Sequence, residues 1–196
     1  MNANVSSAGM VIEPFKRNLT PKFSTSKGIE NATALPRETN FPNGLLEYYN
    51  WKDAKQMAKK QNKPIFIRFT NERSKNCNKM IAKICKNVEV LKILSKHYIV
   101  LVLNVSDKTM LSKKERYKSP YDGKLIRTVG RKNADYQVTQ YFNNLQPFHV
   151  LTDVNDTLLT QPKGFDLEVN NFIEFLENGI RSFKKLKKKE AEKVSE

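Results

Sequence analysis

Cysteine is scarce in this sequence: only Cys77 and Cys85 are present among 196 residues. A chain of this length is about one domain, which buries roughly 70% of its unfolded surface on folding. We therefore expect a core that needs no disulfide or metal to hold it. If one helix carries both cysteines, their Cα atoms lie roughly 12 Å apart, beyond the roughly 7 Å limit for a bridge. No disulfide between them is predicted.

Long hydrophobic runs are also missing. The longest one covers residues 98–103, whereas a membrane-spanning helix needs about 20 apolar residues. No charged-then-apolar leader follows Met1. As given, the chain is expected to be soluble and to carry no export signal.

Several motifs of nucleotide and metal enzymes are absent. The phosphate-binding loop GxxxxGK[ST], the nucleophile elbow GxSxG and the zinc motif HExxH do not occur. His97 and His149 do not have the spacing of zinc ligands with the two cysteines. His149 lies in an apolar stretch, where a hydrogen-bonded core residue is the expectation. The sequence therefore predicts no cofactor and no metal.

Acidic residues are few relative to basic ones, with 20 Asp and Glu against 35 Lys and Arg and a net charge of +15. Part of the excess lies in residues 68–86 and part in residues 181–196. Such a field attracts nucleic acid, an anionic membrane or an acidic protein. Lysine runs are usually solvated helix faces, however, and neither an aromatic-studded basic strand nor a helix-turn-helix pattern is present. No nucleic-acid partner is expected, and a basic nucleic-acid-binding domain is the least favoured alternative.

Composition divides the chain into three parts. Residues 1–44 are rich in Ser, Asn, Thr and Pro without any period, which predicts a linker or extended arm. Residues 45–186 carry regular apolar patterns and are predicted to form the folded domain. Residues 187–196 are predicted to be a basic C-terminal tail.

The folded part alternates between helical and strand patterns. Helices are predicted over about 51–61, 74–86, 88–96, 134–142 and 167–186, and strands over 64–70, 98–103, 148–152 and 158–161. The polar segment 106–130 is long for a loop in a compact domain, and it is predicted to be an insertion over one end of the sheet. The order αβαβαββα predicts an α/β fold in which helices flank a central mixed sheet.

Five sequence blocks point to a known family by their order and spacing. They are Tyr49–Ala54, Lys63–Ile67, Asn76–Met80, Asn87–Leu91 and Gln146–Leu151. Together they resemble the C-terminal thioredoxin-like domain of DsbD-type thiol:disulfide interchange proteins, over about residues 45–185. The resemblance implies a thioredoxin-like fold with a cis-proline loop at 146–148.

The same resemblance implies a cellular setting. In that family a membrane-embedded part passes electrons to this domain, which hands them to periplasmic partners. The implied location is periplasmic, with a tether to the membrane through a part that is not in this chain. The upstream membrane domain, in the same or another chain, would be one partner, and residues 1–44 would be the stub that leads to it.

The stretch Ser74–Cys77 stands where the family carries its CxxC. Thiol–disulfide exchange needs an exposed thiolate at the start of a helix and a second thiol one turn later that resolves the mixed disulfide. Here the attacking position is Ser74, whose hydroxyl cannot form a disulfide, and only the resolving position, Cys77, keeps its sulfur. Serine is a favoured helix N-cap, so Ser74 is expected to accept from an N–H near Asn76 or Cys77.

Two further departures from the family pattern point the same way. The resemblance places an acid in the strand behind the cysteines, where this chain has Arg68, and a second acid where it has Ile81. A further alternative is that Ser74 is an engineered replacement of the attacking cysteine, but this would not explain the residues at these two other positions. Three groups that make exchange work are replaced together, which favours a lost or changed role.

Cys77 leaves two interpretations open. A thiol one turn into the helix, shielded by the strand and the Pro147 loop, behaves as a small buried hydrophobe. Alternatively, Arg68 lies close enough to stabilise the thiolate and leaves a single reactive thiol. In the second case the domain is a thiol-disulfide oxidoreductase or single-thiol redox protein that works through Cys77.

The favoured hypothesis is a redox-degenerate domain that binds protein. In thioredoxin-like proteins the backbone before the cis-proline pairs with an extended peptide, which depends on main-chain hydrogen bonds rather than on sulfur. Gln146, Pro147 and the helix mouth at Arg73, Ser74 and Lys75 would line that groove. The basic side chains favour an acidic partner protein or peptide segment.

Overall fold

The structure is a computed structural model that describes residues 37–38 and 45–194. Its helices are α1 (Trp51–Gln61), α2 (Lys75–Met80), α3 (Val88–His97), α4 (Val129–Tyr141) and α5 (Val169–Val194). Its strands are β1 (Arg37–Glu38), β2 (Leu46–Tyr48), β3 (Ile65–Thr70), β4 (Ile99–Asn104), β5 (Tyr117–Lys118), β6 (Leu125–Ile126) and β7 (Phe148–Thr152). A π-helical turn, Ile81–Cys85, continues α2, and a 3₁₀ turn covers Lys113–Glu115.

Within the described residues, the central sheet has five strands in the order β1-β2-β4-β3-β7. Strands β2, β4 and β3 are parallel, whereas β1 and β7 run antiparallel to their neighbours. Strands β3 and β4 are buried along almost their whole length, as expected for apolar strands covered by helices on both faces. The predicted mixed sheet between helices is confirmed.

Side chains of β3 point alternately into two cores. Ile65, Ile67 and Phe69 pack with side chains of α1 and α4 on one face of the sheet. Phe66 packs on the other face with side chains of α3 and α5. Full burial of one such side chain contributes roughly 1.5–3 kcal/mol. The two cores therefore fix β3, whose carboxyl end leads directly to the candidate site.

Helix α1 has the bounds that the sequence predicts, and both of its ends are capped. The Asn50 side chain accepts a hydrogen bond from the Asp53 N–H at 3.0 Å. At the other end Asn62 adopts a left-handed conformation with φ 48°, and its N–H bonds to the last carbonyls of the helix. Asparagine is favoured at both kinds of cap.

Two short strands precede α1, and the sequence does not predict them. Strand β1 pairs antiparallel with β2, and β2 pairs parallel with β4. Strands of two or three residues leave no period in the sequence and form by backbone pairing with an existing edge. Strand β1 belongs to the predicted arm of residues 1–44; most of that arm lies outside the described residues.

The predicted strand over residues 158–161 is wrong. Leu158 forms only an isolated bridge with Thr152, and Lys163 forms another with His149. Pro162 lies between the two bridges and has no N–H to donate to a ladder. Residues 157–163 therefore cover the outer edge of β7 without becoming a strand.

Helix α4 begins five residues before the position predicted for it. Thr128 is its N-cap, and the side chain accepts from the Arg131 N–H at 3.2 Å. The predicted insertion consequently ends at about residue 128, and the last two residues assigned to it are helical. The first turn, Val129 to Lys132, has no apolar period, and this is the reason that the sequence pattern places the start of the helix too late.

The segment after β4 is a structured insertion. Strands β5 and β6 form a two-stranded hairpin. Asp135 of α4 accepts hydrogen bonds from the Tyr117 hydroxyl at 2.8 Å and from the Ser119 hydroxyl. Because Asp135 and Ser119 are buried, these bonds hold the hairpin firmly against α4.

Helix α5 continues beyond the predicted domain boundary at residue 186. Residues 187–194, assigned to a basic tail, are part of this helix. Lys187 and Glu190 are joined at 2.7 Å along its surface. The sequence predicts that the helix ends at residue 186 because the apolar stripe ends there. Charged side chains three or four residues apart extend a helix beyond its apolar stripe. None of the described helices combines the length and the apolar character needed to cross a membrane.

Candidate functional site

Ser74 begins helix α2 as its N-cap. The Ser74 hydroxyl oxygen accepts a hydrogen bond from the Cys77 N–H at 3.3 Å, while the Ser74 N–H donates to the Asn71 carbonyl at 2.9 Å. The expected cap is therefore present. A cap of this kind satisfies one of the free N–H groups at a helix start, so the hydroxyl has a structural use at the position where the family carries its attacking thiol.

Both cysteines are free and buried. Cys77 is 1% exposed and Cys85 is 3% exposed. The Cys77 sulfur accepts from the Asn71 N–H at 3.4 Å. Since a nucleophilic thiol must reach its substrate, the burial of Cys77 favours its interpretation as a small core residue.

Arg68 forms a buried ion pair that the sequence does not predict. Its Nη2 lies 2.7 Å from Oε1 of Glu47, and the two residues are only 7% and 4% exposed. Glu47 lies on β2, so Arg68 reaches it across β4. The Tyr49 hydroxyl donates to the other carboxylate oxygen at 3.0 Å. The buried guanidinium thus has a fixed counter-ion.

The cysteine next to Arg68 is Cys85, from the π-helical turn. Burial lowers the pKa of the Arg68 guanidinium, but its interactions with Cys85, Glu47 and Tyr49 outweigh burial and raise its pKa overall. In the part of the chain that the structure describes, no hydrogen bond, ion pair or charge interaction joins Arg68 to Cys77. The idea that Arg68 would stabilise a Cys77 thiolate is not supported by this geometry.

His149 lies on the same face as Arg68 and opposite it in the β3–β7 register. It is fully buried, stacks on Phe66 and approaches the Lys163 carbonyl through Nδ1 at 3.2 Å. Burial, and after it the charge of Arg68, lower the pKa of its imidazole to about 3. His149 is therefore the neutral core residue that the sequence analysis expects.

Pro147 follows a cis peptide bond after Gln146, in the predicted loop. The antiparallel register pairs Phe69 with Phe148, which places Pro147 beside the carboxyl end of β3, the end that leads to Ser74. Among the described residues, the backbone N–H and C=O of Gln146 take part in no hydrogen bond. They remain available to a peptide backbone.

The loop before Pro147 is held in place by side-chain hydrogen bonds. Gln137, fully buried in α4, donates to the Leu145 carbonyl and accepts from the Gln146 side chain, both at 2.8 Å. In contrast, the side chains of Phe142 and Leu145 are 83% and 69% exposed. A fixed backbone beside exposed apolar side chains is a surface that a partner can dock against without ordering it first.

The remaining predicted site residues surround the helix mouth. Arg73, Lys75 and Asn76 are exposed, as is Lys79 one turn later. Ile81 is half-buried where α2 passes into the π-helical turn. The structure thus places basic side chains around the Ser74 position and an apolar one where the resemblance places an acid.

A cleft of about 400 Å³ adjoins the helix mouth, and the sequence analysis does not identify it. It is lined by Glu72, Arg73, Asn104, Ser106, Asp107 and Lys108. These residues follow the carboxyl ends of the parallel strands β3 and β4, the edge at which α/β sheets usually bind ligands. The polar residues directly after two apolar strands are the sequence signal that could have found it.

The described residues contain no group of three or more His, Cys, Asp or Glu side chains that could hold a metal ion. The arrangement at the site therefore offers hydrogen-bonding and electrostatic contacts, together with two buried thiols.

The family is shown by the sequence itself. The family model described as thioredoxin-like matches residues 47–153, more than half of the chain. This protein belongs to the thioredoxin-like family, and its α/β fold is the thioredoxin-like fold. No curated protein matches the sequence significantly.

Solved structures agree with this fold. The structure titled DsbH oxidoreductase superposes with a TM-score of 0.54 at 16% identity, over 80% of this chain and 95% of that one. The C-terminal domain of DsbD from Neisseria meningitidis, in its oxidised form, gives a TM-score of 0.45 at 12% identity, over 65% and 90% of the two chains. A thioredoxin from Thermus thermophilus gives 0.44 at 12% identity, over 66% and 82%. At 16% identity the likeness to the DsbH structure supports the fold alone, the other two superpositions carry no argument, and the finer DsbD-type assignment stays a prediction.

Proposed function

We propose that this protein is a redox-degenerate thioredoxin-like domain that binds an extended segment of a partner protein. The observation that carries the proposal is the helix mouth, where the Ser74 hydroxyl caps α2 by accepting from the Cys77 N–H. Dithiol exchange needs one thiol to attack and a second to release the product. Here a hydroxyl takes the first place, and the thiol in the second is 1% exposed.

The binding surface is the groove between the helix mouth and Pro147. Strand addition needs an unpaired donor and acceptor on the main chain, and the backbone of Gln146 offers both within the described structure. The side-chain bonds from Gln137 hold this backbone in place. A peptide that pairs with Gln146 would lie across the mouth of α2.

The charge at the groove selects the partner. Arg73, Lys75 and Lys79 are exposed at the helix mouth, and Lys75 and Lys79 lie four residues apart on one side of α2. Exposed cations speed the encounter with an acidic partner and disfavour a basic one. The partner segment is therefore acidic.

The setting follows from the resemblance to DsbD-type proteins. In this proposal the domain works in the periplasm and is tethered to the membrane through a part outside this chain. An upstream membrane domain, in the same or another chain, is then a second partner.

The groove can be tested by titrating the protein with an unstructured peptide of alternating glutamate and valine. Binding is measured from the NMR chemical shifts of the protein's backbone amides. We expect shifts at residues 73–77 and at Gln146, and weaker binding of the matched lysine–valine peptide. Gln146→Pro removes the N–H donor and should abolish binding, whereas Gln146→Ala keeps the donor and should retain most of the binding, because Gln137 still holds the Leu145 carbonyl. Equal binding by both variants, or shifts elsewhere, would contradict the groove.

A single-thiol redox role through Cys77 is the second candidate, and the N–H bond from Asn71 to its sulfur is the observation in its favour. The rate at which iodoacetamide alkylates Cys77, measured over a range of pH, distinguishes this redox role from the binding proposal. The binding proposal predicts slow reaction of Cys77, limited by opening of the structure, with Cys85 as the buried reference. Rapid and selective alkylation of Cys77 near neutral pH would establish the redox role instead.

A further inference from the structure

Basic side chains gather at the end of the sheet opposite Ser74. Strands β3 and β4 are parallel and start at Ile65 and Ile99, so the residues before them share one edge. Helices α1 and α3 end there, and α5 passes alongside. We call this surface the basic pole, which consists of Lys59, Lys60, Lys63, Lys96, His97, Lys184 and Lys187.

Contacts show that these residues form one surface. Lys59, Lys63 and Lys187 line a shallow cleft of about 150 Å³, together with the apolar side chains of Val154 and Phe183. The cleft therefore joins the end of α1 to the middle of α5.

Lys63 and His97 connect the basic pole to the end of α3. The Lys63 ammonium lies 3.4 Å from the Ser95 carbonyl at the end of α3. The pKa of His97 is lowered, first by burial and then by the positive charges of Lys96, Lys184 and Lys63. Cations from three segments thus lie close enough to act on one imidazole.

Capping of helix ends explains only part of this concentration. Lys59, Lys60 and Lys96 lie in last turns, where a cation interacts favourably with the helix dipole. Lys63 is outside any helix and Lys184 is in the interior of α5, so the dipole does not account for them. Glu190 reduces the charge, since it pairs with Lys187 at 2.7 Å, and Asp153 and Asp156 flank Val154 of the cleft in the sequence. A clear positive excess remains.

We propose that the basic pole binds the surface of an anionic phospholipid bilayer. Each lysine near such a surface contributes through attraction to its negative potential, without requiring any fixed geometry. The basic pole suits such non-specific electrostatic contact because all of its permanent charges are lysines, which are spread over four segments. Arginine, whose planar fork suits specific recognition of a single phosphate or carboxylate, is absent from it.

Nucleic acid fits the pole less well. Single strands are held by stacking on exposed aromatic side chains, and the aromatic residues next in sequence to the pole's lysines, Tyr98 and Phe183, are 3% and 8% exposed. Binding to an acidic protein is an alternative outcome of the test, and polyglutamate is the probe for it.

The test is co-sedimentation of the whole chain with phosphatidylcholine vesicles that contain or lack phosphatidylglycerol. We expect binding only to the anionic vesicles, and release at about 1 M salt, where the Debye length falls to about 3 Å. Replacing exposed Lys59, Lys60, Lys96 and Lys184 by glutamine should weaken vesicle binding at least tenfold.

The matched control removes the same charge elsewhere. Lys108, Lys113, Lys114 and Lys118 are exposed in the insertion, beyond the opposite end of β4. Their replacement by glutamine should change binding by less than about threefold, because charges farther than a Debye length of about 10 Å from the surface are largely screened. Thermal unfolding checks that both variants remain folded.

Three results would overturn the proposal. The first is no binding to anionic vesicles at low salt, and the second is an equal loss in the two quadruple variants. The third is binding of duplex DNA or polyglutamate that is tighter than vesicle binding at the same concentration of negative charge. Groove variants such as Gln146→Pro should leave vesicle binding unchanged, so this proposal and the proposed function fail independently.

Discussion

Arg68 stands in the strand at the position where the resemblance places an acid, and Glu47 provides the carboxylate from across the sheet. The two side chains are more than nine-tenths buried and lie 2.7 Å apart. Taking both charges out of water costs free energy that their attraction only partly repays. The pair therefore fixes the arrangement of β2 relative to β3 more than it adds net stability.

The first prediction concerns this pair. Glu47→Leu leaves the buried Arg68 guanidinium without a counter-ion and should lower the free energy of unfolding by about 3–5 kcal/mol. Adding Arg68→Met removes the orphaned charge, so the double variant should be more stable than Glu47→Leu alone. Urea unfolding measures both changes. Additive losses in the double variant would show that the two side chains are not coupled.

The second prediction concerns the pH dependence conferred by His149. Burial, with the charge of Arg68, holds its pKa at about 3 in the folded protein, against about 6.5 in an unfolded chain. Between these values the unfolded state binds the extra proton, so stability falls as pH is lowered through this window, by up to about 1.4 kcal/mol per pH unit.

The measurement is urea unfolding between about pH 5 and 7, above the usual titration range of carboxyl groups. His149→Phe should remove most of the slope, whatever its effect on absolute stability. His97→Gln is the control, because His97 is half-exposed and its pKa is lowered less. An unchanged slope in His149→Phe would contradict the buried neutral imidazole.

At the scale of elements, capped helices and fully apolar strands could be predicted from the sequence. Helix α1, strand β3 and strand β7 have nearly the predicted bounds, since each combines a clear period with polar residues or proline at its ends. The short strands β1 and β2 could not be predicted, because a two- or three-residue strand depends on a partner edge distant in sequence.

The candidate site, too, could be predicted only in part from the sequence. Ser74, Cys77 and Pro147 stand out by their place in a local pattern, and the structure brings the helix mouth and the cis-proline to one end of the sheet. The role of Glu47 depends on which strands become neighbours, so it appears only once the sheet order is known. The cleft residues Asn104 and Asp107 carry a signal in the sequence, because they are polar residues at the end of an apolar strand.

The third prediction concerns the start of α4. A Cβ atom added to Gly130 would lie 2.6 Å from the carbonyl oxygens of Val105 and Asp107. Backbone atoms cannot move aside as a side-chain tip can, so Gly130→Ala should destabilise the protein by about 1–3 kcal/mol, despite the better helix propensity of alanine.

Gly164→Ala is the matched control for this change. A Cβ atom at Gly164 would meet nothing within 4 Å, so this variant should change stability by less than about 1 kcal/mol. Thermal or urea unfolding compares the two. Equal stability of the variants would mean that α4 does not approach the backbone after β4 this closely.

At the scale of the whole molecule, the sheet separates two charged surfaces. The groove and its basic helix mouth lie at the carboxyl ends of β3 and β4, and the basic pole lies at their amino ends. Six strand residues at about 3.3 Å each make this separation roughly 20 Å, about twice the Debye length at 0.1 M salt. We therefore expect an acidic peptide and anionic vesicles to bind to the protein without competing with each other.

Loss of dithiol exchange is the central claim, and insulin reduction with dithiothreitol tests it most directly. The unaltered protein should give no turnover above the uncatalysed rate, and Ser74→Cys should gain a disulfide between residues 74 and 77 that mass spectrometry detects. Ser74→Ala is the control for loss of the cap alone. Catalysed insulin reduction by the unaltered protein, abolished by Cys77→Ala, would contradict the account.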